Sequence, residues 1–295
     1  MERIGTSTNI FFERNDGSRI PAERTMRLCA QAGYRDMDFG FVEQIFYPTP
    51  FTTERWRSFV ERHMRLAEEL GIRFTQTHGH IHDFCNDQEE AQWDLVKRCV
   101  EGTAMLKAPW MVMHPSTLVR DGRVHQDTRS RNIEYFQRLA EYAGTFGVGI
   151  AVENMWGETK EGVKRYAITA EELCSLIDGI GKPNVGACWD TEHGAIEELS
   201  QPDSIRLLGN RLKCTHISDQ TDRNNVHILP YTGFTDWDPI LQALADVDYQ
   251  GEFTYEIQHY LLAMPENLAP EAIRFSFQVG TQMIQRSRFL SSSVL

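Results

Sequence analysis

Eight times along this chain a short apolar run is followed by a longer segment with helical spacing, and no other feature restricts the fold as much. Strands are predicted at Arg3–Ile10, Asp36–Phe41, Ile72–His78, Trp110–His114, Val148–Glu153, Val185–Trp189, Lys213–Ile217 and Glu252–Glu256. Helices are predicted at Pro21–Ala32, Thr52–Leu70, Gln88–Leu106, Thr128–Phe146, Thr169–Ile177, a broken stretch near Ala195–Leu208, Trp237–Ala245 and Pro270–Arg288. In the second helix, Trp56, Phe59, Val60, Met64, Leu66 and Ala67 fall close to one face. Thr52 or Thr53 is its expected cap and Gly71 its stop. Thr169-Ala170-Glu171-Glu172 reads as a capping signal for the fifth helix. Strands alternating with helices of this length imply right-handed crossovers and a parallel sheet. Eight such units in 295 residues favour an α/β fold of the closed (β/α)8 barrel type, one domain spanning residues 1–295. The competing doubly wound sheet would want a GxGxxG loop after an early strand, and the sequence has none.

Charge narrows the partners. Thirty basic against 42 acidic residues leave a net charge of −12, without the Lys/Arg surplus that neutralises nucleic-acid phosphates. No apolar run approaches the roughly 18 residues that span a bilayer. The start, Met1-Glu2-Arg3-Ile4-Gly5, shows no charged-then-apolar leader. The six cysteines, at 29, 85, 99, 174, 188 and 214, form no CxxC pair. They read as reduced, mostly buried thiols, and the expected location is the cytoplasm.

In a (β/α)8 barrel the functional side chains gather where the strands end and the βα loops open. The third predicted strand ends at His78 and the fourth at His114. The fifth ends at Glu153, in Val152-Glu153-Asn154. The sixth leads to Asp190 and, three residues on, His193. The seventh gives His216 and the eighth Glu256. A lone histidine at a strand end is usually a hydrogen-bonded structural group. Glu153 and Glu256, however, follow apolar strand residues, where an unpaired charge is costly. Seven such groups converging on one barrel mouth point to a metal site.

The ordered set Val-Glu-Asn, Asp-Thr-x-His, His-Ile-Ser-Asp and the final Tyr-Glu resembles the xylose isomerase-like superfamily over essentially the whole chain. That superfamily includes sugar isomerases and epimerases, inosose dehydratases, hydroxypyruvate isomerases and the endonuclease IV family. The resemblance implies a metal-dependent (β/α)8 barrel. It also implies that Glu153, Asp190, His216 and Glu256 hold one divalent ion, and that Glu158 and His193 contact sugar hydroxyls. Three carboxylates and an imidazole suit Mn2+ or Mg2+, with Zn2+ or Co2+ as alternatives. Such an ion leaves about two coordination positions for a carbonyl oxygen and its neighbouring hydroxyl.

The expected activity is therefore that of a sugar or polyol-ketone isomerase or epimerase. One of Glu153 and Glu256 would remove the proton beside the carbonyl, giving an enediolate held by the ion. The other would return a proton. His78 and His114 are expected as substrate contacts, second-metal ligands or hydrogen bonders at the mouth. His80, His82 and His125 read as loop histidines. Trp110, Trp156 and Trp189 read mainly as packing aromatics. An inosose-type dehydratase would use the same ion and a similar base. An endonuclease IV-like phosphodiesterase is the second alternative, because His78, His114, Glu153, Asp190, His193, His216 and Glu256 match seven of that family's metal ligands. Its Asp-x-His pair is replaced here by Asn225-Val226-His227, and the net charge opposes a DNA groove. The expected partner is a small-molecule sugar or polyol-ketone, with no nucleic acid and no membrane. The resemblance also implies a homo-oligomer of unfixed number.

Overall fold

Eight parallel strands form the main sheet of the computed structural model, which describes residues 3–47, 49–85 and 89–292. They are β1 (Ile4–Ser7), β2 (Asp36–Gly40), β3 (Arg73–His78), β4 (Trp110–Met113), β7 (Gly149–Glu153), β8 (Val185–Asp190), β9 (Leu212–His216) and β10 (Phe253–Tyr255). A separate antiparallel hairpin joins β5 (Val119–Arg120) to β6 (Arg123–Val124). The helices are α1 (Ala22–Ala32), α2 (Phe41–Phe46), α3 (Trp56–Leu70), α4 (Glu89–Met105) and α5 (Thr128–Gly144). They continue with α6 (Ala170–Ile180), α7 (Thr191–Ile196), α8 (Gln201–Leu208), α9 (Trp237–Asp246) and α10 (Ala269–Ser292).

The strand order β10-β1-β2-β3-β4-β7-β8-β9 follows the chain around a circle. The seam between β9 and β10 closes through Ile217. Its N–H donates to the Thr254 carbonyl (2.8 Å), and its own carbonyl accepts from Glu256 N–H (3.1 Å). This is the (β/α)8 barrel that the alternating pattern predicts. Among the described residues no helix is long and apolar enough to cross a membrane, and all six cysteines are free thiols.

Helix ends follow local chemistry. Thr169 caps α6 by accepting from Glu172 N–H (3.3 Å), and the Glu172 carboxylate accepts from Ile168 N–H (3.0 Å). Gly33, Gly71 and Gly181 end α1, α3 and α6 in the left-handed conformation. Two expectations shift. β1 stops at Ser7, and residues 8–12 turn instead; Ile10 and Phe11 are fully buried, so their apolarity reports core burial rather than strand. α3 starts at Trp56, with no cap from Thr52 or Thr53, because Pro50–Thr52 forms a separate 3-10 turn capped by Thr49. The helices α2 and α7 and the β5–β6 hairpin are too short to show a period. The predicted helix start at Gln88 lies outside the described residues.

The strands alternate between two surroundings, as a period of two requires. Outward residues such as Phe39, Met111, Ile150, Trp189 and Phe253 join the large core under the helices. Inward, Val112, Ala151, Cys188 and Cys214 form a small separate cluster inside the barrel. Gln76 and Thr254 share that interior, hydrogen-bonded to each other (3.4 Å). Two residues further along each of these six chain segments stand His114, Glu153, Asp190, His216, His78 and Glu256. The fold thus stacks an apolar layer and then a polar layer toward the mouth.

One loop needs its own anchor. The 20-residue connection from β9 to α9 is gathered by the buried carboxylate of Asp219. It accepts from the backbone N–H groups of Gln220 (2.9 Å), Tyr231 (3.1 Å), Gly233 (3.2 Å) and Thr235 (3.1 Å), and from Trp237 Nε1 (3.2 Å). Asp219→Ala would leave several of these donors buried without partners. It is expected to cost at least about 3 kcal/mol in urea unfolding. A loss below about 1 kcal/mol would contradict this role.

Candidate active site

His216 sits at the centre of the polar layer. Its Nε2 meets Asp38 Oδ2 at 3.0 Å, and its Nδ1 lies 2.7 Å from Glu153 Oε1 and 3.2 Å from Glu256 Oε2. The other oxygen of Glu153 lies 2.9 Å from His114 Nε2 and 3.4 Å from His78 Nε2. Asp190 caps α7: its Oδ1 accepts from Glu192 N–H (2.7 Å) and His193 N–H (3.0 Å). Its Oδ2 is buried with no hydrogen-bond partner.

The motif residues between these groups lock the strand ends together. Asn154 grips the backbone of Asp190, accepting from its N–H (2.7 Å) and donating to its carbonyl (3.1 Å). Thr191 does the same to Ser218, accepting at 3.1 Å and donating at 2.9 Å. His193 Nδ1 donates to the Asn154 carbonyl (2.7 Å), which fixes the ring with Nε2 toward the mouth.

Burial and pairing divide the charges. Burial opposes ionisation of Glu153, but His216 and His114 outweigh it and hold its carboxyl well below the usual range. Burial pushes Glu256 up to about 8, against the pull of His216 and helped by the charge of Glu153. Asp190 rises to about 6 through burial and the Glu153 charge. Burial alone would keep His216 neutral, yet the carboxylates of Glu256, Glu153 and Asp38 raise it well above the ordinary histidine value. Burial lowers His193 to about 4, so its ring is neutral at physiological pH.

One ligand atom from each of Glu153, Asp190, His216 and Glu256 lies within 4.8 Å of the others. The unpartnered Asp190 Oδ2, the two glutamates and His216 Nδ1 make a three-carboxylate, one-imidazole donor set that fits a divalent cation. Above them opens a cavity of about 320 Å³, walled by Asn9, Phe12, Glu43, Tyr47, Trp156 and His227 among others. His78, His114, His193 and Glu256 face it. Glu158 does not: it is exposed on a hairpin outside this cavity. Trp110 and Trp189 also lie elsewhere, Trp189 fully buried with its Nε1 donating to Gln201 (3.2 Å). Asn225 lies at the surface, its amide tied to Thr221 Oγ1 (2.7 Å), apart from the cavity that His227 lines.

Four polar groups went unread as site residues in the sequence. Asp38 lies inside β2 and carries no motif. Glu43 rides the short α2, with Oε1 accepting from Asn9 (3.0 Å). Glu192, pushed up to about 9 by burial and the neighbouring Asp190 charge, accepts from Ser218 Oγ (3.3 Å) and from the backbone N–H of His227. His227 reaches the cavity from a loop where no periodicity operates. For Asp38 and Glu192 a signal existed, a carboxylate between apolar strand residues and one between two site residues.

Coordination of a cation requires ionised carboxylates and a bare His216 Nδ1. Glu256, near 8, and the raised His216 hold their protons at neutral pH. Loading Mn2+ at about pH 7 is therefore expected to release protons. Affinity rises as pH climbs toward 8 and falls as the medium turns acid. Calorimetry in two buffers of different ionisation heat reads this directly. Mn2+ binding without proton release, at an affinity independent of pH, would count against this ligand set.

Comparison with known proteins places these features in context. The chain is 33% identical over 132 residues to a D-psicose 3-epimerase of Enterocloster bolteae, covering 44% of this chain and 40% of that protein. It is 30% identical over 139 residues to an L-ribulose 3-epimerase of Methylomonas sp., covering 46% and 44%. These alignments span less than half the length of either relative. A solved structure of L-ribulose 3-epimerase superposes with a TM-score of 0.77 at 18% identity, covering 100% of this chain and 98% of that one, a likeness of fold. The family model described as xylose isomerase-like TIM barrel matches residues 26–279. On that match, the chain belongs to the xylose isomerase-like TIM barrel family.

Proposed function

We propose that this chain is a metal-dependent sugar epimerase or isomerase that moves a proton beside a carbonyl of a ketose or related polyol-ketone. The observation that carries the reading is the approach of two carboxylates to His216 Nδ1, Glu153 at 2.7 Å and Glu256 at 3.2 Å, with Glu256 lining the cavity. Two carboxylates this close together supply the acceptor and the donor that proton transfer needs. The 3-epimerase relatives, which perform this kind of rearrangement on ketoses by their names, support the reading.

Glu153, Asp190, His216 and Glu256 would hold a divalent ion, with Mn2+ or Mg2+ the best match to the donors, and it would supply Lewis-acid charge to polarise a carbonyl and acidify the neighbouring C–H. The protein's own groups do the rest. One of Glu153 and Glu256 takes the proton and the other returns one to the same or the neighbouring carbon. Asp38 fixes the plane of the His216 ring by accepting from Nε2. Neutral His193 presents Nε2 as an acceptor for a sugar hydroxyl, its Nδ1 being spent on Asn154. Trp156 stands against His193, ring centroids 5.7 Å apart, and shields that contact from water.

The test is a panel of ketoses and inososes in heavy water with Mn2+, followed by NMR. Deuterium uptake at the carbon beside the carbonyl is expected, with epimerised or isomerised product. Glu153→Gln and Glu256→Gln should each lower it by at least about 100-fold. Product without deuterium would replace proton transfer by a hydride shift. Loss of water from the product would convert the reading to an inosose-type dehydratase.

A further inference from the structure

A second cavity, of about 240 Å³, opens beside the first on the side of β3, β4 and β7. The two share His114 and Ile81 in their walls, so they are two lobes of one mouth. Each alone lies at or below the lower end of the roughly 300–1,000 Å³ usual for small-molecule sites, whereas the pair falls inside it.

The outer wall of the second lobe is a built structure. Residues 158–164 form a hairpin with a bridge between Glu158 and Lys164, closed by Thr159 N–H on the Val163 carbonyl (2.7 Å). Its base is pinned three times. Gly157 N–H donates to Glu197 Oε1 (2.8 Å), Lys164 pairs with Glu197 (3.0 Å), and Tyr166 N–H donates to Thr117 Oγ1 (2.9 Å). The tip presents Thr159, Lys160 and Glu161 to the lobe, with Arg165 beside them and Asp83 opposite. Pro115, Met155 and Ile81 supply apolar surface.

This lining selects a class of ligand. Two cations, Lys160 and Arg165, face two carboxylates, Asp83 and Glu161, with His82 and His114 completing the polar wall, so the lobe carries no cationic surplus of the kind that grips a phosphate or a carboxylate. Hydroxyl, ammonium, guanidinium and carboxylate groups around an apolar patch match a neutral ring bearing many hydroxyls, which can both donate and accept. We propose that the second lobe is a subsite for a further sugar ring, and that the preferred substrate is a keto-sugar carrying a glycosyl group rather than a free monosaccharide. This inference rests on the epimerase reading above, since the reacting ring is placed in the first cavity.

The experiment compares kcat/KM for deuterium exchange on free fructose, tagatose and 2-keto-myo-inositol with that on leucrose and isomaltulose, which carry glucose on O5 and O6 of fructose. At least one glucosylated ketose is expected to exceed every free compound by about tenfold or more. The double variant Lys160→Ala, Glu161→Ala changes two exposed tip side chains that pair with each other at 3.9 Å, and an unchanged urea-unfolding midpoint is expected alongside. It is expected to erase most of that preference through KM while leaving exchange on the free compounds unchanged. Equal or better turnover of the free compounds overturns the subsite, as does a double variant that keeps the preference. Silence from every compound overturns the epimerase reading itself.

Discussion

A carboxylate sealed from water must find opposite charge or lose its own, and Glu153 sits fully buried at the centre of the barrel mouth. Three imidazoles answer it. His216 takes one oxygen, and His114 and His78 crowd the other. The arrangement extends outward, because His216 in turn leans on Asp38 from β2, across the barrel. A single buried charge thereby ties β2, β3, β7, β9 and the end of β4 into one electrostatic unit. The pairing explains why Glu153 stays ionised while Glu256 and Asp190, only a few ångströms away, do not ionise readily. Neighbouring carboxylates in a dry pocket are pushed apart in acidity, and groups so separated can play different parts in proton traffic.

The strand geometry makes that concentration of charge tolerable. Small inward residues, Ala151, Cys188 and Cys214, fill the barrel just below the polar layer. They leave room for the larger side chains two positions on, yet admit little that would solvate them from beneath. The loops then hold the ends still. Asn154 and Thr191 each bind a neighbouring segment through both its N–H and its C=O, so the carboxylates and His193 inherit the stiffness of the backbone.

Much of this was legible in the sequence because a barrel repeats one local rule eight times. The alternation of apolar runs and helical segments needs no long-range information, and the rule that chemistry sits at strand ends selected His78, His114, Glu153, Asp190, His216 and Glu256. What escaped depends on contacts between distant segments. Glu43 and His227 reach the cavity from a two-turn helix and from a 20-residue loop, where neither period applies. Glu158 illustrates the converse. Its position in the loop after β7 marked it as a substrate contact, yet the hairpin turns its side chain to solvent and brings Trp156 to the wall instead. A turn geometry governs that outcome: Gly157, between the two residues, takes the left-handed conformation (φ 67°) and redirects the chain.

The hairpin of residues 158–164 carries a consequence for how such a protein can diversify. Among the described residues its fastenings to Glu197 and to Thr117 are at the base, and the ion pair at its tip, Lys160 with Glu161, stays within the hairpin. The tip can therefore accept new residues, or grow by a few, at little thermodynamic expense. A lineage of descendants sharing the same proton chemistry could acquire different appetites by rewriting three or four codons in that one finger.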